Sequence, residues 1–189
     1  MPGSIFHRFF ASVVLLSMLL HMPGPSWADD PKRRSPVVPL TLVGAFSDFH
    51  RAKILRAVNE WNVALNGTLR FEVQTNANRP AIWAVIAVSH SPYRNGPEPL
   101  GLTMPFPAGG GLMLLYLDRL GSRDLGAVMR HELGHVLGLK HDVSGRLMSA
   151  AYNPHDQKCV DYSALAQVAE LHGLVLRQLK WCGEARAAP

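Results

Sequence analysis

The chain has 189 residues, of which 48% are hydrophobic and 17% charged. That allows one domain of ordinary size with a buried core and excludes a disordered or low-complexity polymer. The formal net charge of +5 comes from scattered basic residues; the single cluster, Lys32-Arg33-Arg34, reads as a solvated tail, so a nucleic-acid surface is not expected.

The first segment in chain order carries targeting features. His7 and Arg8 precede an apolar run of 12 residues, Phe9 to Leu20. The run is short for a bilayer span and suits the core of a signal peptide. Met22-Pro23-Gly24-Pro25 then forms a turn, and Ser26-Trp27-Ala28 supplies small residues where a signal peptidase reads. The expectation is a signal peptide over residues 1–28, with an uncleaved anchor as the alternative. No later segment is apolar enough to cross a membrane, so no stable anchor should remain after cleavage. Residues 29–36 read as a linker and residues 37–189 as the domain, acting in a secreted or periplasmic setting.

Val37 to Ala45 is apolar and β-branched, and predicts a first strand. Residues 48–66 predict a helix, with Asp48 as N-cap. Its apolar positions, Ile54, Leu55, Val58, Trp61 and Leu65, recur at helical spacing, and Asn66-Gly67 ends it. Leu69 to Val73 alternates as a half-buried strand does. Ala81 to Val88 is a short continuous apolar run, a buried strand. Residues 90–99 hold three prolines and form a loop. Leu100 to Phe106 is a strand that Pro105 assigns to an edge, since proline cannot donate to a ladder. Gly109-Gly110-Gly111 is a turn before the strand Leu112 to Leu117, and Asp118 caps its end. A helix follows from Asp124 to Leu137, closed by Gly138. A last helix spans 162–171, with Asp161 as N-cap and Gly173 as C-cap. This order, without internal repeats, predicts an α/β or α+β domain.

Two cysteines occur, Cys159 and Cys182. In an exported protein an even count favours one disulfide, which here would stabilise by about 3 kcal/mol. Free thiols or an additional metal site are the competing readings.

The stretch from His131 to His141 carries the chemistry: His131-Glu132-Leu133-Gly134-His135-Val136-Leu137-Gly138-Leu139-Lys140-His141. His131 and His135 lie four apart on a helix, hence on one face and about 6 Å apart along the axis. Two imidazoles at that spacing can share one Zn2+ ion. Glu132 sits beside the first ligand, where it can reach a zinc-bound water as general base without ligating the metal. A continuing helix would turn His141 away; Gly138 can reverse the chain in a conformation other residues avoid and bring His141 back. Three neutral imidazoles leave one coordination position open, which is a catalytic arrangement and not a closed structural one.

This stretch resembles the extended zinc signature of the metzincin peptidases, HExxHxxGxxH, and within that clan it is most similar to the matrixins, with Leu137-Gly138-Leu139 before the third histidine. The resemblance implies a metzincin α+β catalytic domain: a twisted, mostly parallel sheet of about five strands with an antiparallel edge strand, an active-site helix and a C-terminal helix. It implies one catalytic zinc, hydrolysis of a protein or peptide substrate, and a Met-turn beneath the metal, carried over to Met148. An ordinary core methionine is the competing reading of Met148. The edge strand, with Leu100, Gly101, Leu102 and Thr103, resembles the one that binds extended substrate. Ala150 and Tyr152 would line the specificity pocket. Ala150 stands where matrixins usually place a proline, and Tyr152 follows Met148 by four residues, the wrong spacing for a tyrosine that serves the metal.

Two departures stand out. The strand Leu112 to Leu117 lacks the acidic and histidine ligands for extra Ca2+ or structural Zn2+. The stretch before the domain lacks a cysteine-containing inhibitory segment, which leaves export, a protein inhibitor or weak activity as means of control. His50, His90, His155 and His172 have no partner at ligand spacing and read as surface or hydrogen-bonded residues. Two other functions compete with the endopeptidase: a non-catalytic zinc-binding module, disfavoured by the intact Glu132, and a zinc hydrolase of a non-protein amide such as cell wall.

Overall fold

The computed structural model describes residues 35–74, 82–88, 99–143, 146–153 and 157–182. The expected signal peptide, nearly all of the linker, His90 and His155 lie outside them. The described residues form five strands: β1 (Val37–Val43), β2 (Arg70–Gln74), β3 (Trp83–Val88), β4 (Gly101–Pro105) and β5 (Gly111–Tyr116). They form one sheet in the order β2-β1-β3-β5-β4. β1 pairs parallel with β2 and β3, β3 pairs parallel with β5, and β4 closes one side antiparallel to β5. This is the mostly parallel five-stranded sheet with one antiparallel edge strand that the sequence resemblance implies. β4 does lie at an edge, where Pro105 leaves no ladder bond unmade. Pro39 sits in the otherwise internal strand β1, but pairing with β3 starts only at Leu40.

Helix α1 (Asp48–Leu65) buries Ile54, Ala57, Val58, Trp61, Ala64 and Leu65. Two sequence expectations change here. The N-cap is Ser47, whose side chain accepts from the His50 N–H, and Asp48 is the first helical residue. Leu55 faces outward at 50% exposure; the buried face already has Ile54 and Val58, and Leu55 falls beside it. Trp61 is fully buried and donates its indole N–H to the Arg130 carbonyl at 2.9 Å. Truncating a side chain so placed costs about 3–5 kcal/mol. Asn62 makes a reciprocal pair with the backbone of Phe71, joining α1 to β2.

A short helix α2 (Leu117–Leu120) follows β5 directly, so Leu117 and Asp118 begin a helical turn and do not end a strand. Helix α3 (Leu125–Val136) starts at Asp124, whose carboxylate accepts from the Gly126 N–H. It lies between α1 and β4, with residues 125–134 all buried. Helix α4 (Tyr162–His172) has the expected caps: Asp161 accepts from Ala164, and Gly173 is left-handed at φ 63°. A 3-10 turn at Leu176–Gln178 follows, and the Cys159–Cys182 disulfide, with Cα atoms 6.0 Å apart, fastens this last segment. No helix among the described residues is long and apolar enough to cross a membrane.

Candidate metal centre

α3 carries His131, Glu132 and His135 toward the side of the sheet where β4 lies. The helix ends in a Schellman motif: the Gly138 N–H bonds to the His135 carbonyl at 2.9 Å and the Leu139 N–H to the Gly134 carbonyl at 3.0 Å. Gly138 has φ 89°, a conformation that only glycine adopts without strain. The chain therefore doubles back, and His141 returns to the two helical histidines.

The three Nε2 atoms form a nearly equilateral triangle. His131 to His135 is 3.1 Å, His131 to His141 is 3.2 Å and His135 to His141 is 3.2 Å. The opposite ring atoms explain why these nitrogens face one another. His131 Nδ1 lies 2.7 Å from the Leu147 carbonyl, and His135 Nδ1 lies 2.7 Å from the Leu139 carbonyl. A carbonyl only accepts, so each Nδ1 carries the proton and each neutral ring presents a bare Nε2 lone pair. Burial pushes the His131 pKa down to about 4, against the opposing hydrogen bond to Leu147. Burial also lowers that of His135. Converging lone pairs repel unless a cation lies among them. Tetrahedral Zn–N bonds of about 2.0–2.1 Å put neighbouring nitrogens roughly 3.3 Å apart, close to the triangle observed. The donor set thus fits zinc.

Glu132 is 4% exposed. Burial raises its pKa to about 7, partly offset by the Thr103 hydroxyl, which donates to Oε2 at 2.6 Å. Gly101 lies flush against the same carboxylate: a Cβ there would stand 2.6 Å from Oε1. Met148 is 1% exposed and packs under α3 at Gly134. Its carbonyl accepts from the Asp142 N–H at 2.9 Å, next to His141.

The other residues singled out from sequence divide into two groups. Gly101 and Thr103 of β4 lie against Glu132, Leu102 alternates to the other face of the strand, and Leu100 directly precedes it. Ala150 is exposed after the Met148 turn. The Tyr152 hydroxyl is engaged elsewhere, accepting from the Asp124 N–H at 2.9 Å. Asp124 lies about 10 Å of helix rise before His131. His172 is hydrogen-bonded, with Nε2 2.9 Å from the Leu137 carbonyl.

Further supports of the site were not expected from the sequence. Asp161 caps α4 with one oxygen and accepts from the Leu147 N–H with the other at 2.8 Å, tying the Met148 turn to α4. The buried Arg130 guanidinium bridges Glu60 of α1 and the Gln157 carbonyl. The Leu147 and Leu139 carbonyls orient the rings of His131 and His135. None has a local sequence signal, apart from Asp161 as a helix cap.

Among solved structures, the chain is similar to high choriolytic enzyme 1, a hatching-enzyme zinc protease from the medaka fish Oryzias latipes. That match has 24% identity, covers 56% of this chain and 44% of that one, and has a TM-score of 0.35. It is also similar to myroilysin, at 18% identity over 58% of this chain and 50% of that one, with a TM-score of 0.40. The chain thus spans about half the length of each. No curated protein matches the sequence. The model of the matrixin peptidase family matches residues 71–173, more than half of the chain, from β2 through His131–His141 to the end of α4. The chain belongs to the matrixin family of zinc metalloproteases.

Proposed function

We propose that this protein is an endopeptidase that hydrolyses peptide bonds outside the cytoplasm, with His131, His135 and His141 as zinc ligands and Glu132 as general base. The observation that carries the reading is the triangle of three Nε2 lone pairs with the buried Glu132 carboxylate beside it. Zinc held there supplies a Lewis acid that polarises the scissile carbonyl and acidifies a water. Glu132 takes the proton from the attacking water and delivers it to the leaving amine.

The edge of β4 holds the substrate as an added strand. Tyr116 donates to the Leu100 carbonyl and Phe106 donates to the Gly110 carbonyl, so even-numbered residues of this strand bond to β5. Hydrogen-bonded pairs alternate in an antiparallel ladder, so the N–H and C=O groups of Gly101 and Thr103 face the open edge. Pro105 has no N–H, which ends the donor row. Met148 provides an apolar floor under the ligand rings. Ala150 and the Tyr152 ring contribute to the pocket wall, while Leu100 and Leu102 bond to β5 with their side chains on the sheet face away from α3 and hold the substrate-pairing strand in place. Residues 1–28 direct export as a signal peptide, and the Cys159–Cys182 disulfide suits an oxidising compartment.

The test is cleavage of casein by the purified protein, with and without a chelator, alongside Glu132→Ala. Activity is expected in the untreated wild type alone, with zinc retained in Glu132→Ala. Cleavage of cell-wall fragments but not casein would favour an amide hydrolase, and zinc binding without any hydrolysis would favour a binding module.

A further inference from the structure

We infer that Thr103 is a positioning residue for Glu132: its hydroxyl sets the direction of the carboxylate, and the same residue's backbone binds the substrate strand. The inference rests on the reading of Glu132 as general base. Residues 101 and 103 alternate onto one face of β4, the face against α3. Gly101 contributes space, because a Cβ would meet Glu132 at Oε1, Cγ and Cδ at 2.6, 2.7 and 2.8 Å. Thr103 contributes a donor. Its Oγ1 lies 2.6 Å from Glu132 Oε2 and 3.4 Å from the Glu132 carbonyl oxygen, so its single proton goes to the carboxylate.

The consequence is a division of labour within the carboxylate. Oε2 is engaged by Thr103, and among the described residues no side chain or backbone N–H bonds to Oε1. Oε1 is thereby the oxygen that takes the water proton. The side chain of a buried glutamate without a donor would be free to rotate about its last torsion, which is broad and shallow, and a misdirected base loses rate steeply with small displacements. Thr103 also presents its N–H and C=O to the open edge of β4. A bound strand that pairs there holds the same residue whose hydroxyl directs the base, so occupancy of the edge and alignment of Glu132 are joined through one residue.

The test uses the full-length protein as wild type, Thr103→Val, Thr103→Ser and Glu132→Ala, with zinc content, kcat and KM measured on an internally quenched peptide. Valine keeps the branched shape that suits a strand and removes only the donor. Thr103→Val should keep one zinc per chain and a KM within about twofold, while kcat falls about 10–100-fold, the usual range for a residue that supports a metal site. Thr103→Ser should recover most of that kcat. Wild-type kcat in Thr103→Val, a loss confined to KM or to zinc content, or a serine variant no better than valine would each overturn the inference. Any of these with an inactive Glu132→Ala leaves the general base standing, whereas an active Glu132→Ala overturns both.

Discussion

Met148 occupies the space that a side chain on Gly134 would need. A Cβ at Gly134 would stand 2.4 Å from the Met148 Sδ and 3.1 Å from its Cε. Gly134 lies inside α3, where alanine is intrinsically favoured over glycine by up to about 1 kcal/mol. Crowding a packed core costs about 1–3 kcal/mol, and Met148 is fully enclosed, so crowding should win. Gly134→Ala is therefore expected to destabilise the protein in urea unfolding, and the same change in a Met148→Ala background should be neutral or stabilising. Additive effects of the two substitutions would show that the contact carries no energy.

Asp161 joins two parts of the centre. One oxygen caps α4 and the other holds the Leu147 N–H, and the neighbouring carbonyl of Leu147 orients His131. Asp161→Ala removes a cap worth about 1 kcal/mol and a hydrogen bond to a charged group worth about 1.5–3 kcal/mol. The expected outcome is a loss of roughly 2–4 kcal/mol by denaturant unfolding, with weaker zinc binding. Asp161→Asn should recover part of the stability. An alanine variant with wild-type stability would show that the bridge is incidental.

Asp124 predicts a pH dependence. Burial works to raise its pKa, but the Lys53 hydrogen bond, the Gly126 N–H and the positive charges of Lys53 and Arg130 outweigh it, and the net value lies below 3.8. A carboxylate with a depressed folded-state pKa adds stability in full above its unfolded value and loses it as pH falls through the folded value. Asparagine also caps helices, so Asp124→Asn isolates the charge. The wild type should be the more stable at pH 6, and the difference should shrink below about pH 3.8. An equal difference at pH 6 and pH 2.5, measured by thermal unfolding, would assign the effect to something other than ionisation.

Much of the fold follows from periodicity that is plain in the sequence. The helical spacing of Ile54, Val58, Trp61 and Leu65, the alternation in β2 and Pro105 at the edge strand all answer to local rules. The convergence of His131, His135 and His141 was legible for the same reason: a four-residue helical spacing and a glycine that must turn the chain are both short-range features. Failures lie where local rules tie or fall silent. Ser47 and Asp48 are both good caps, and only the backbone turn selects Ser47. Leu55 differs from Ile54 by one helical step, a rotation that composition does not register. The hydroxyls of Thr103 and Tyr152 find partners 29 and 28 residues away, and contacts at that range leave no local trace.

The proposed chemistry depends on one zinc ion held jointly by His131, His135 and His141. Elemental analysis of the purified protein beside His141→Ala tests it most directly, because His141 depends on the turn at Gly138 and belongs to no helix. One zinc per wild-type chain is expected, with most of it lost from His141→Ala after dialysis against a weak chelator. A wild type without zinc, or a variant that retains a full equivalent under the same dialysis, would contradict it.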